Sequence, residues 1–387
     1  VILPDNAWEL GYSDVPLKEN GGICALARRT DFEEAQKKRW ETLVEPGGRI
    51  TYTFYAEYHE GAWQEGLRQI FQKRFLYDLD GFDDQMFQRQ DLEWIRHQYT
   101  LCLQFAWDHH FYDAEDNRFR IKEYLNMGKR LFGGWDALGI WPTWPTLGLD
   151  ERNQWDLYRD LPGGYAGLRS LAEDMKCEGT RFLVAYNPWD QSTRRVDPYE
   201  GLAQLIDKTG ADGVVLDCRG KSSIKLQQAA DSIKPGVVMY SEGMAVPGDM
   251  ETIVAGRVHD AIFMPPPLNL NKFIKPDFAI FRVCQLVEGR LHREMAISFF
   301  NGYGIEMNVF APGRPDWIEE EYGYWSRLVR ILRENSNTFL SKGWTPLVEQ
   351  GTDSVWVNSW PGKNKHLYTV FSLKPGGYSG RLIEAGG

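Results

Sequence analysis

Residues 211–245 read ADGVVLDCRGKSSIKLQQAADSIKPGVVMYSEGMA, and this stretch decides the fold. It contains two short apolar runs, and each ends on a carboxylate: Asp217 closes the first and Glu242 the second. Short Val-rich runs without alternation are typical of strands buried on both faces. Apolar residues at helical spacing over 222–234 predict a helix between them, which ends before the Pro-Gly pair at 235–236. The stretch therefore predicts a β-α-β unit with an acid at the C-terminal end of each strand.

The same alternation of strands and helices extends outward over about residues 98–340. Strands are predicted in YTLCLQF, GGWDALGIW, TRFLVAYNPWD, VHDAIFM, MAISFFNG and GIEMNVFA, and a long helix in FAIFRVCQLVEGRLHREM. No G-x-G-x-x-G follows the first strand, which argues against a dinucleotide-binding sheet. About eight strands within roughly 250 residues favour an α/β fold of the (β/α)8 TIM-barrel type.

Short β-strands with Gly and Pro turns flank the barrel at both ends. Alternating residues in GGRITYTFYAEYH, and a strand in GGICALARRT, predict that residues 1–62 form the tail of an N-terminal β-domain. We expect a connecting helix over 59–76, the catalytic barrel over 63–340, and the start of a C-terminal β-domain over 341–387. The flanking pieces are therefore expected to resemble β-sandwiches.

The composition excludes several classes of function. The formal net charge is −10, which disfavours nucleic acid and anionic membrane surfaces as partners. No apolar run reaches the ~20 residues that span a bilayer. The five cysteines contain no C-x-x-C, so we predict neither a metal site nor a disulfide framework, and no cofactor. No signal peptide is visible; a secreted or periplasmic location is preferred to a cytoplasmic one, and the oligomeric state stays open.

Aromatic residues point to carbohydrate. Phe, Trp and Tyr make up 14% of the chain, with 15 Trp, and several of these Trp lie in polar, Pro-rich loops. A Trp ring in such a loop is suited to stacking on the C–H face of a sugar. We therefore predict an oligosaccharide or glycoconjugate as the substrate.

Asp217 and Glu242 are the predicted catalytic pair. Adjacent strands lie about 4.8 Å apart, so acids at their tips can approach the ~5–5.5 Å used in retaining glycoside hydrolysis. We expect Arg219 to keep Asp217 ionised as the nucleophile. Apolar neighbours such as Met239 and Tyr240 are expected to raise the pKa of Glu242, the general acid/base.

Further residues near predicted strand ends are candidates for substrate binding, although each could instead cap a helix, form an ion pair or pack in the core. They are Asp108, His109, Trp135, Asp136, Trp141, Trp144, Trp189, Asp190, Arg219 and Asp260. His109 and His110 are neighbours, so they would point to opposite faces of a strand and could not easily share a metal ion. The DAEDN run from Asp113 lacks the Gly and Glu of a calcium loop.

With these residues in view, the stretch 98–340 resembles the (β/α)8 retaining hydrolases of α-linked sugars. The two acids follow the short strings DGVVLD and YSEG, and their order along the strands is similar to that in glycoside hydrolase families 101 and 129, the endo-α-N-acetylgalactosaminidase group. That resemblance implies an Asp nucleophile after the fourth strand and a Glu acid/base after the fifth. Families 31 and 36 fit less well, because their acid/base follows the sixth strand. A non-catalytic carbohydrate-binding barrel and an inverting or β-specific glycosidase remain the alternatives.

Overall fold

Eight parallel strands close into a barrel in the computed structural model. The structure describes residues 10–17, 20–37, 42–74, 83–142, 151–188, 193–243, 247–259, 272–273, 275–309, 314–348 and 352–383. The barrel strands are β4 (Thr100–Phe105), β7 (Ala137–Trp141), β8 (Arg181–Tyr186), β9 (Gly213–Leu216), β10 (Val238–Ser241), β11 (Ala255–Val258), β12 (Ala279–Gln285) and β13 (Gly304–Val309). Each strand pairs with the next along the chain, and β13 pairs with β4 to close the ring. The predicted (β/α)8 fold is confirmed.

Helices surround this barrel. They are α3 (Ile121–Phe132), α4 (Gln154–Arg159), α5 (Gly164–Cys177), α6 (Pro198–Thr209), α7 (Ile224–Asp231), α8 (His292–Phe300), α9 (Ile318–Glu334) and α10 (Ser336–Phe339). Short 3₁₀ turns lie at Gln90–His97, Pro247–Thr252 and Leu286–Glu288. Among the described residues, none of the helices combines the length and the apolar character that a bilayer crossing requires.

Local sequence signals explain where individual helices begin and end. The Asp197 side chain accepts hydrogen bonds from the backbone N–H groups of Tyr199 and Glu200, and α6 ends at Gly210 in the left-handed conformation. Ser223 caps α7 in the same way by accepting from the Leu226 N–H. These caps define where α6 and α7 begin, the two helices that precede and follow strand β9.

The prediction was wrong for the sixth and seventh strands. The sixth, β11, begins three residues before the predicted VHDAIFM. The FAIFRVCQ segment, predicted as helix, forms the seventh strand, β12, whereas MAISFF lies in helix α8. Arg282 within this strand is a charged residue whose side chain is nevertheless buried. Short apolar runs of six or seven residues have no period that separates a buried strand from a buried helix.

Antiparallel sheets flank the barrel, as predicted. β1 (Leu10–Leu17), β2 (Gly21–Lys37) and β3 (Thr42–Glu60) form a three-stranded sheet, followed by α1 (Trp63–Arg74) and the short α2 (Gln85–Gln88). β14 (Val355–Pro361) and β15 (His366–Ser372) form a hairpin after the barrel. A two-residue pair, β5 (Tyr112–Asp113) and β6 (Arg118–Phe119), lies in the loop after β4.

Candidate active site

Asp217 and Glu242 lie side by side where β9 and β10 end. The two strands pair in register up to Leu216 and Ser241, one residue before each acid. The Asp217 N–H donates to the Tyr186 carbonyl at 2.9 Å, and the Glu242 N–H donates to the Leu216 carbonyl at 3.2 Å. These bonds continue the barrel ladder by one residue on each strand. The barrel itself therefore fixes both backbones, as the sequence predicted.

The two carboxyl groups contact each other directly. Asp217 and Glu242 share a side-chain hydrogen bond. Each places a carboxylate oxygen within 4.8 Å of the other and of the Cys218 sulfur. The Asn187 side-chain amide donates to Asp217 Oδ2 at 2.7 Å, and the Cys218 backbone N–H donates to Glu242 Oε2. Asp217 is 7% exposed and the Glu242 side chain 27%, so the pair is buried but can be reached from solvent.

A buried arginine connects Glu242 to the interior of the barrel. Arg257 on β11 is 2% exposed and lies 2.9 Å from Glu242 Oε1 and 2.9 Å from Glu306 Oε1. Glu306 on β13 is fully buried and also accepts a hydrogen bond from the Tyr240 hydroxyl at 2.6 Å. His259 Nε2 lies 3.7 Å from Glu242 Oε1. One arginine thus joins two carboxylates that stand on different sides of the barrel.

This environment separates the pKa values of the pair. Burial raises the pKa of Asp217 to about 7, and the hydrogen bond with Glu242 and its negative charge act in the same direction. Burial is the largest influence on Glu242 and acts to raise its pKa. The Arg257 charge, the hydrogen bonds with Asp217 and the Cys218 N–H, and His259 together outweigh burial and hold the pKa below its ordinary value. The pair therefore carries one proton on Asp217 below about pH 7. This is the reverse of the expected charges, because Arg257 and not Arg219 is the cation nearest the pair.

The same atoms form a grouping that could hold a metal ion. Asp217, Cys218 and Glu242 offer two oxygens and one sulfur, a donor set that suits Zn²⁺. The Arg257 guanidinium is bonded to Glu242, and its positive charge opposes a cation at this position. The donor set alone therefore gives no reason to assign a metal to the pair.

Trp141 and Arg219 lie near the pair among the other predicted residues. Trp141 ends β7, and its ring lies 5.8 Å from the Arg257 guanidinium. It therefore borders the same cup, the space around Asp217, Glu242 and Arg257. The Arg219 carbonyl accepts the Glu242 N–H at 2.9 Å. Its half-buried side chain lies close enough to Tyr186 to oppose the rise that burial causes in the pKa of that tyrosine. These two predicted substrate contacts are compatible with the site.

Trp135 and Asp136, both predicted substrate contacts, lie at the end of the barrel opposite to Asp217 and Glu242. They precede β7, and Trp135 is buried, stacked on Tyr124 at 5.5 Å. Asp136 accepts the backbone N–H groups of Tyr99 and Thr100 and pairs with Arg333 at 2.9 Å. The sequence alone did not show that both residues precede strand β7. Side chains at this N-terminal end of the barrel strands contribute to stability.

The remaining predicted contacts lie elsewhere. Asp108 and His109 follow β4, which stands across the ring from β9 and β10. His109 is exposed, and its ring lies 4.1 Å from that of His110. Trp144, Trp189, Asp190 and Asp260 lie outside the described residues, so their predicted roles stay predictions.

The sequence reasoning missed three polar residues of the site: Asn187, Arg257 and Glu306. A signal was present for Glu306, because a charged residue inside an apolar strand of a barrel is unusual unless it has a buried partner. Arg257 was missed because the sixth strand was predicted to start after it. Asn187 follows β8, and its position beside Asp217 depends on the pairing of β8 with β9.

Comparison of the sequence with protein-family models and with curated proteins gave no match. Solved structures do match. The α-N-acetylgalactosaminidase NagBb from Bifidobacterium bifidum in its GalNAc complex aligns with a TM-score of 0.55 and 12% identity, over 92% of this chain and 72% of that one. A cyclomaltodextrinase aligns with a TM-score of 0.50 and 11% identity, over 92% and 79%. The GH36 α-galactosidase AgaA from Geobacillus stearothermophilus aligns with a TM-score of 0.50 and 10% identity, over 98% and 66%. At these identities the likeness shows a shared fold.

Proposed function

We propose that this protein is a glycoside hydrolase that cleaves an α-linked sugar with retention of configuration. The observation that carries the proposal is the contact between Asp217 and Glu242 at the ends of neighbouring barrel strands, with carboxylate oxygens within 4.8 Å. Retaining enzymes hold their two carboxyl groups ~5–5.5 Å apart, whereas inverting enzymes need ~6.5–9.5 Å to admit a water. The names of the similar structures, an α-N-acetylgalactosaminidase and an α-galactosidase, support an α-linkage.

Asp217 acts as the nucleophile and Glu242 as the acid/base in this proposal. As the sugar enters, the proton passes from Asp217 to Glu242 along their shared hydrogen bond, and the two carboxyl groups then move apart. Asp217 is then an anion that the Asn187 amide stabilises by its 2.7 Å hydrogen bond. Its oxygen bonds to the anomeric carbon as the glycosidic bond breaks, and Glu242 gives its proton to the leaving oxygen.

The second half of the reaction reverses these roles. The Glu242 carboxylate takes a proton from water, and the resulting hydroxide oxygen bonds to the anomeric carbon. The bond to Asp217 breaks, and its electron pair returns to the carboxylate. Arg257 supports this step, because its charge stabilises Glu242 in the ionised form that a general base requires.

The resting pKa values favour the opposite assignment of roles, and azide distinguishes the two. Aryl α-galactoside, α-glucoside and α-N-acetylgalactosaminide are assayed with the wild type, Asp217→Gly and Glu242→Gly, with exposed Asp207→Asn as the matched control. We expect both glycine variants to lose turnover by orders of magnitude and Asp207→Asn to retain it. Azide should rescue Asp217→Gly with a β-glycosyl azide as the product, and Glu242→Gly with an α-glycosyl azide.

Exchanged product configurations would make Glu242 the nucleophile while leaving the retaining reaction in place. If the wild type turns over a substrate and both glycine variants keep near-wild-type rates, the pair is not catalytic. If β-linked substrates alone are cleaved, the proposed linkage is wrong. If no aryl glycoside is cleaved although sugars bind, the barrel is a carbohydrate-binding module.

A further inference from the structure

A second cavity of about 410 Å³ lies outside the barrel wall. It is enclosed by β4 and β13 on one side and by α3 and α9 on the other, with the loop after β4 as its cover. In the ring, β4 and β13 are each three strands away from the nearer of β9 and β10. The cavity is therefore separate from the cup that contains Asp217 and Glu242.

A buried acceptor without a partner faces this cavity. Gln104 on β4 is fully buried, and its Nε2 donates to the Phe105 carbonyl at 3.2 Å. Its Oε1 has no hydrogen-bond partner among the described residues. A buried amide oxygen in this state is costly unless a donor reaches it. The cavity beside it is the place from which a ligand can supply that donor.

Two more polar groups that line the cavity can form further hydrogen bonds. Asp108 is 8% exposed; Oδ1 accepts the His110 backbone N–H at 2.9 Å, and no described cation forms an ion pair with the carboxylate. Tyr322 on α9 is buried, and its hydroxyl has no hydrogen bond to a described residue. Together with Gln104, they present two acceptors and one group that can both donate and accept.

The two arginines at the cavity are already paired with carboxylates. Arg120 pairs with Asp113 at 3.1 Å, and Arg314 approaches Glu319 at 3.6 Å. Met127, Leu286, Val309 and Ile318 supply apolar walls. An anionic ligand would have to displace the carboxylates from these arginines, whereas hydroxyl groups satisfy Gln104 Oε1, the Asp108 carboxylate and the Tyr322 hydroxyl without doing so.

We propose that this cavity is a second binding site, and that its ligand is a neutral, hydroxyl-rich ring of the size of a free pyranose sugar. Each sugar hydroxyl both donates and accepts, which matches Gln104 Oε1, the Asp108 carboxylate and the Tyr322 hydroxyl. The C–H face of the ring packs on the apolar wall. The volume lies within the ~300–1,000 Å³ that is usual for small-molecule sites.

Isothermal titration calorimetry tests the site with Asp217→Asn as the background, so that no turnover disturbs the measurement. The probes are methyl α-galactoside and methyl α-glucoside as pyranoses, with myo-inositol and glycerol as polyols that are not sugars. Met127→Trp fills the cavity, and Arg130→Trp places the same ring on the exposed side of the same helix as the matched control. We expect Met127→Trp to remove one equivalent of pyranose binding and Arg130→Trp to keep it.

Tyr322→Phe removes the hydroxyl oxygen and keeps the packing of the ring. If Met127→Trp does not fold, Tyr322→Phe tests whether the pyranose binds in this cavity. Loss of a hydrogen bond should weaken pyranose binding roughly five-fold. Binding of myo-inositol beside the pyranoses would agree with the proposed ring-shaped ligand. Pyranose binding that both variants leave unchanged, or binding of glycerol as tight as that of the pyranoses, would overturn the proposal. These outcomes do not depend on hydrolysis, so a failure of the proposed function leaves this test intact.

Discussion

Replacing Arg257 with methionine should destabilise the barrel strongly. Arg257 lies between Glu242 and Glu306, 2.9 Å from each, and Glu306 is fully buried. Methionine fills much of the same volume, but among the described residues it leaves Glu306 with only the Tyr240 hydroxyl as a partner. Removing one member of a buried ion pair typically costs about 3–5 kcal/mol, because the other charge stays buried without compensation. We expect a loss of that size in the free energy of unfolding at pH 7.

Urea unfolding at pH 7 measures this loss, and a double variant identifies its cause. Adding Glu306→Gln to Arg257→Met removes the buried carboxylate charge that has lost its partner. The double variant should therefore recover most of the lost stability. The exposed Arg330→Met on α9 is the control, with an expected change within about 0.5 kcal/mol. The reasoning fails if Arg257→Met costs less than about 1 kcal/mol, or if the double variant is no more stable than the single one.

Activity gives a second measure of the same contact. Arg257 is the main influence that lowers the pKa of Glu242, so its loss should raise the lower of the two macroscopic pKa values of the pair. The acid limb of the kcat/KM profile should then move to higher pH. An acid limb that stays in place would show that Arg257 does not control the charge of the pair.

Three further predictions concern other parts of the chain. Because the pKa of Asp217 is raised to about 7, the folded state holds a proton that the unfolded state releases at lower pH. The free energy of unfolding should therefore fall by roughly 1–2 kcal/mol as the pH rises from about 4 to 7. Urea unfolding across this range measures the fall, which should be smaller in Asp217→Asn. Asp136→Ala should lower the melting temperature, because two backbone N–H groups and Arg333 lose their acceptor; a low kcat in folded protein would instead place Asp136 in the active site. Gly201→Ala in α6 should destabilise the protein despite better helix propensity, since the added Cβ would lie 2.3 Å from the Trp155 ring; a raised melting temperature would contradict this.

Regular periodicity and capping made parts of the fold predictable. The helix predicted over 222–234 is observed as Ile224–Asp231, with Ser223 as its cap. The strands before Asp217 and Glu242 were predicted because Gly and Val runs bounded by turns have few other interpretations. The error over 278–302 concerned two short apolar runs on either side of Gly289, which has a positive φ. Local sequence cannot decide there which run is the strand.

The sequence by itself determined the class of fold and the two acids, because the strand-helix alternation and a carboxylate after each of two neighbouring strands are local features. The tertiary structure alone decided the charge of those acids. Arg257 follows Glu242 by 15 residues, Glu306 follows Arg257 by 49, and Asn187 precedes Asp217 by 30. Barrel closure brings these side chains to one cup. Electrostatic interactions depend on distance in space and on burial, so no pattern along the chain contains them.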